Sequence, residues 1–156
     1  MSKTTRATQA LDRAGIAYGV HTYDYDPNAE RVGLHAAESL GVPPAMVLKT
    51  LMILLDGKPV CAVVPSDREV AMKKLAAALK GKSADMMKPA DAERLTGYHV
   101  GGISPFGQKR QVPTVMEQDA LELERVFLNG GQRGVQVAGD PKAFQQALGA
   151  VVASIT

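Results

Sequence analysis

Val47-Leu48-Lys49-Thr50-Leu51-Met52-Ile53-Leu54-Leu55-Asp56-Gly57-Lys58-Pro59-Val60-Cys61-Ala62-Val63-Val64 carries two apolar runs separated by Asp56-Gly57. Asp-Gly between such runs marks a tight hairpin, because both central positions of that turn need a positive φ. The reading is a strand over Val47 to Leu55 and a return strand over Val60 to Val64. Downstream, Met72, Leu75, Ala76 and Leu79 recur at helical spacing and stop at Gly81, and Ser66 with Glu69 offers a capping box that would start this helix early. Pro89 to Thr96 before Gly97 predicts a second short helix. Val112 to Met116, Val126 to Leu128 and Val135 to Ala138 read as strands, the last two joined by the turn Asn129-Gly130-Gly131. Asp140 followed by Pro141 caps and opens a final helix that runs to Leu148 and Gly149. Upstream, Ala7, Ala10, Leu11 and Ala14 form a helical stripe ended by Gly15, Ala17 to Thr22 is a short strand, and His35 to Leu40 is a short helix. Strands in hairpin-like pairs with helices between the groups predict an α+β fold (mixed α/β), with a mostly antiparallel or mixed sheet able to close on itself.

The chain has 156 residues, 46% hydrophobic and 22% charged, which suits one globular domain over 1–156. The apolar run Leu51 to Leu55 is strand-sized, and nothing approaches the ~18 residues of a membrane helix. The start, Met1-Ser2-Lys3-Thr4-Thr5-Arg6, lacks an apolar signal core, and a single cysteine makes no internal disulfide, so a reducing cytoplasm is expected. Three Phe, four Tyr and no Trp are too few rings for a base-stacking platform. A net charge of +2 does not by itself mark a nucleic-acid binder.

Familiar catalytic motifs are missing: no GxSxG, no Walker A loop, no HExxH. His21, His35 and His99 are scattered, and with one cysteine they give no metal-ligand spacing. Cys61 sits in an apolar strand and reads as a small core residue. The informative stretch is Gly97-Tyr98-His99-Val100-Gly101-Gly102-Ile103-Ser104-Pro105-Phe106-Gly107. Its glycines permit turns whose amides converge on an anion or carbonyl oxygen, and Ser104 adds a hydroxyl; a tight connecting loop is the alternative. Lys49, inside an apolar strand, either reaches solvent or is a cation aimed at phosphate or carboxylate. Lys73, Lys74, Lys80, Lys82 and Lys88, with Lys109-Arg110, form either a solvated face or a modest phosphate-contacting surface.

Val100-Gly101-Gly102-Ile103-Ser104-Pro105-Phe106-Gly107-Gln108-Lys109-Arg110 resembles the signature of the YbaK/EbsC family, aminoacyl-tRNA editing domains related to the insertion domain of prolyl-tRNA synthetase. His21-Thr22-Tyr23, Lys49-Thr50-Leu51, Met72-Lys73-Lys74-Leu75-Ala76, Thr96-Gly97-Tyr98 and Gly130-Gly131-Gln132-Arg133-Gly134 agree in order, over roughly residues 8 to 150. The resemblance implies a partly barrel-like mixed sheet flanked by helices. It also implies a trans-acting deacylase that clears a wrong amino acid, cysteine above all, from tRNA for proline. The substrate's own thiol would attack the ester carbonyl and leave as a thiolactone, so the protein would only position the ester and stabilise an oxyanion. By resemblance, the backbone of Gly101, Gly102 and Ile103 faces the aminoacyl group, Lys49 holds the tRNA 3′ end, and Tyr23, Ser104, Pro105 and Gln136 line the substrate pocket. No cofactor or metal is implied. The implied partners are the tRNA acceptor end and, as a recruiter, prolyl-tRNA synthetase; neither DNA nor a membrane is expected.

The chain departs from the family pattern at Val32-Gly33-Leu34-His35, at Gln136, where some members carry Asp, and at Gly139-Asp140-Pro141. These departures bear on which amino acid is removed. Alternatives are a deacylase for alanyl or seryl esters using water, a binding module without turnover, and an unrelated enzyme using Cys61 or a histidine. Under the deacylase reading, bulk added at Gly102 is expected to fill the pocket.

Overall fold

The computed structural model describes residues 4–28 and 32–156, together with all their side chains except that of Val32. Met1-Ser2-Lys3, which opens the stretch judged to lack a signal core, and Val32, part of one family departure, therefore lie wholly or partly outside the described residues. In chain order the elements are α1 (Arg6–Arg13), β1 (Gly19–Thr22), α2 (Val32–Leu40), a 3-10 turn at Pro44–Met46, β2 (Leu48–Leu55), β3 (Lys58–Pro65), α3 (Met72–Ala78), β4 (Ala84–Met86), α4 (Pro89–Thr96), β5 (Thr114–Glu117), a 3-10 turn at Gln118–Glu122, β6 (Val126–Asn129), β7 (Val135–Gly139), α5 (Pro141–Leu148) and β8 (Val151–Ala153).

The hairpin forms as its turn dictates: Asp56 and Gly57 have φ of 50° and 81°, and Leu55 pairs with Lys58. Around it grows a five-stranded sheet in the order β4-β2-β3-β5-β8, with β4, β2 and β3 antiparallel and β3, β5 and β8 parallel. A three-stranded antiparallel sheet, β1-β7-β6, stands beside it. The expected α+β class holds. Among the described residues the strands do not close into a barrel: one parallel bridge, Val47 to Phe127, joins the two sheets.

The unbroken apolar run of β3 has a structural cause, since both faces of the strand are covered. Cys61 and Val63 face one cluster with Leu11, Met52, Met116 and Phe144. Val60, Ala62 and Val64 face a second with Ile53, Leu75, Val115 and Ile155. Each fully buried aliphatic side chain there contributes about 1.5–3 kcal/mol.

The early helix start does not occur. Ser66 gives both its amide and its hydroxyl to the carbonyl of Val47, which ties it beside the start of β2, and the residue before the helix is Ala71. α3 begins after Ala71, with no side-chain cap, where the Ala71 amide is tied to the Ile155 carbonyl at 2.7 Å. The buried carboxylate of Glu117 secures that same C-terminal segment, accepting from the amides of Ile155 and Thr156 and from the Thr156 hydroxyl.

Candidate functional site

The seam between the two sheets holds a cavity of about 320 Å³. β2 supplies its largest share, Leu48 to Met52; Tyr23 follows β1, Gln136 stands on β7, Asn129 ends β6, and Val100, Gly101 and Ile103 come from the glycine-rich loop. Met87 and Ala92 are buried wall, whereas Met86 and Val100, 52% and 41% exposed, sit at the mouth. Of the residues expected from the sequence, the cavity brings together Lys49, Tyr23, Gly101, Ile103 and Gln136.

Gly102, Ser104 and Pro105 are not among its lining residues. The Gly102 amide donates to the His99 carbonyl at 2.8 Å, closing the turn, and so is already committed. A Cβ on Gly102 would stand 2.8 Å from the Arg133 amide nitrogen, so bulk there strikes the neighbouring backbone instead of filling the cavity. Ser104 is fully buried and its hydroxyl accepts from the Phe106 amide; Pro105 is buried beside it. The Gln108 amide nitrogen holds the Ser104 carbonyl at 3.0 Å from below. These residues shape the loop behind the cavity wall.

The loop is gripped at Val100-Gly101 from several elements. Glu93 on α4 accepts from the Val100 amide at 2.8 Å, Arg133 Nε donates to the Val100 carbonyl at 2.8 Å, and Asn129 Nδ2 donates to the Gly101 carbonyl at 3.1 Å. The Val100 amide bond holds the Glu93 carboxyl below its ordinary value, with His99 adding to the effect. The Arg133 guanidinium lies 5.3 Å over the Tyr25 ring. Gly101 has φ +90°, and a Cβ there would come within 2.5 Å of the Tyr25 hydroxyl; the position accepts only glycine without strain.

Lys49 Nζ lies 3.4 Å from Glu69 Oε1, its side chain 23% exposed against 74% for Glu69. An ion pair with so exposed a partner is weak, which leaves the ammonium able to turn to an incoming anion. Burial pushes the Tyr23 hydroxyl above its ordinary value, against the pull of the nearby Gln136 side chain, although Tyr23 Oη makes no hydrogen bond of normal geometry. Thr50 Oγ1 and Gln136 Oε1 are likewise buried without a partner. Thr50, Asn129 and the two methionines escaped the sequence reading. Asn129 looks like a turn residue before Gly130-Gly131, and Met86 ends, and Met87 follows, a strand too short to show alternation.

No cysteine, carboxylate or histidine lines the cavity among the described residues. Cys61 is 1% exposed, and burial pushes its thiol up to about 12, so it is no nucleophile. His21 packs edge-on against Phe127, His35 bonds the Asp24 carbonyl, and His99 faces Glu93 in solvent. No group of three or more His, Cys, Asp or Glu is placed to hold a metal among the described residues. Among these residues, no helix is long and apolar enough to cross a membrane.

The family described as the aminoacyl-tRNA editing domain matches residues 27–147. EbsC of Enterococcus faecalis, a candidate Cys-tRNA(Pro)/Cys-tRNA(Cys) deacylase, is 37% identical over 156 residues, covering 97% of this chain and 93% of its own. A proline–tRNA ligase of Nitratidesulfovibrio vulgaris is 40% identical over 79 residues, 48% of this chain and 14% of the ligase. The crystal structure of a candidate trans-editing enzyme for prolyl-tRNA synthetase superposes with a TM-score of 0.85 at 23% identity, covering 99% of both chains.

Proposed function

The chain belongs to the aminoacyl-tRNA editing domain family, and on that footing we propose that it is a deacylase acting in trans, as one domain in the cytoplasm, to remove cysteine from mischarged tRNA for proline. The observation that carries this reading is the composition of the cavity wall among the described residues: a cation, hydroxyls, amides and loop backbone, with no thiol, carboxylate or imidazole. Such a site can hold and polarise an ester but supplies no strong base to activate water. A substrate that brings its own nucleophile needs none.

The reaction then runs within the bound cysteinyl ester. The substrate thiol loses its proton and its sulfur attacks the ester carbonyl carbon. The tetrahedral oxyanion collapses with cleavage of the bond to the ribose oxygen, which takes up a proton, and cysteine leaves as a four-membered thiolactone. Holding sulfur and carbonyl in one attack geometry is the main contribution of a tight cavity. Lys49 exchanges Glu69 for a phosphate of the tRNA 3′ end, and the backbone of Gly101 and Ile103 abuts the aminoacyl group. Lys88, exposed between the lining residues Met87 and Pro89, extends positive charge toward the acceptor stem. A basic surface this modest leaves tRNA identity to a partner, and prolyl-tRNA synthetase is the partner that holds tRNA for proline.

The test is deacylation of tRNA for proline charged in turn with cysteine, serine, alanine and proline. Loss of the cysteinyl ester with the seryl ester spared is the expected result. Equal loss of the seryl and alanyl esters replaces the thiol with water, and binding without loss of any ester makes the protein a carrier of charged tRNA.

A further inference from the structure

Among the described residues four buried side-chain polar atoms have no hydrogen-bond partner, and three of them, Tyr23 Oη, Thr50 Oγ1 and Gln136 Oε1, belong to residues lining the one cavity at the sheet seam. Folded proteins satisfy nearly all such atoms, so a cluster of orphans around a cavity marks groups waiting for a ligand. Gln136 is the sharpest case. It is 4% exposed, its strand β7 is paired on both sides, and its free atom is an amide oxygen, which accepts hydrogen bonds and cannot donate.

We propose that Gln136 Oε1, with Tyr23 Oη beside it, is the seat of the substrate's α-amino group and makes the site selective for α-amino acyl esters. The inference rests on the deacylase reading and assigns one atom of the substrate within it. An aminoacyl ester offers three polar groups near its carbonyl. The ester oxygen gains negative charge during reaction and is repelled by an amide oxygen. The ribose hydroxyls are attached to the rest of the tRNA and stay at the mouth, where Lys49, Met86 and Val100 are accessible. The α-amino group is the N–H donor that enters with the amino acid, and Gln136 Oε1 lies on the enclosed wall. Among the described residues the lining carries no carboxylate, so the amine meets neutral acceptors there that share the cavity with the Lys49 ammonium without pairing to it. A site built around a buried acceptor rejects a ligand that leaves this acceptor unpaired.

The experiment compares cysteinyl-tRNA with 3-mercaptopropionyl-tRNA, which keeps the thiol and chain length and lacks only the amine. The wild-type protein is expected to prefer the cysteinyl ester by about 10-fold or more in kcat/KM. In Gln136→Leu this ratio is expected to fall to near one, and in Gln136→Glu, which keeps an acceptor oxygen, to persist. Equal use of both esters by the wild-type protein overturns the amine seat and leaves the deacylase reading standing. A wild-type preference that survives unchanged in folded Gln136→Leu also overturns it. Loss of neither ester defeats the deacylase reading, and the amine seat with it.

Discussion

The Asn129 side chain ties two backbone turns together: its Nδ2 donates to the Gly101 carbonyl at 3.1 Å while its Oδ1 accepts from the Gly131 amide at 2.8 Å. One residue at the end of β6 thereby fixes the orientation of the Val100-Gly101-Gly102 backbone against the cavity. Asn129→Ala is expected to slow deacylation by about 10-fold, the effect of one lost positioning hydrogen bond. Asn129→Asp keeps the acceptor for Gly131 and loses the donor for Gly101. It should be slowed at least as much, and wild-type rates in that variant would show that the Gly101 carbonyl does not need holding.

Lys49→Met removes the one charge that the described residues bring to the cavity lining. Turnover and tRNA affinity should both fall, with the salt dependence of binding reduced. Thermal stability should hardly change, because a half-exposed ion pair contributes about 0–1 kcal/mol. Unaltered turnover would mean that the ammonium belongs to Glu69 alone.

Thr50→Val replaces a buried hydroxyl that has no partner with a methyl group of the same size. The free protein should gain up to about 1 kcal/mol in stability while deacylation slows, since an unmet polar group is a cost that only the ligand relieves. A lower melting temperature would contradict this account.

Glu117 supplies a pH dependence. Burial alone would raise its carboxyl, but the amides of Ile155 and Asp119 and the Thr156 hydroxyl outweigh burial and hold it below the ordinary value. A depressed folded pKa means the stabilisation is complete above the unfolded value near 4.3 and is lost as pH falls through the folded one. Glu117→Gln should cost about 1–3 kcal/mol at neutral pH and flatten the acid limb of a melting-temperature profile.

The hairpin was legible because Asp56-Gly57 admits few turns, and α4 and α5 because Pro89 and Pro141 open them and Gly97 and Gly149 close them. β4 and β8 were not, since three residues cannot display a period of two. Whether the sheet closes on itself depends on long-range pairings such as the parallel β3, β5 and β8, which no local pattern encodes. In the site, Lys49 stood out as a charge in an apolar strand, and the glycine-rich loop through its composition. Thr50 looks like any strand threonine, and only the unpaired state of its buried oxygen sets it apart. Gly102 shows the converse: it carries the signature, yet its amide and its missing Cβ both serve the turn.

The interior position of Cys61 has a chemical consequence. A thiolactone is an acylating agent, and the free amino acid it hydrolyses to is a thiol that exchanges with disulfides. Either one would label an accessible sulfhydryl on the protein that makes it. Under the proposed thiolactone route, the protein's single thiol is held protonated inside β3, out of reach of both, so repeated turnover would leave that thiol unmodified.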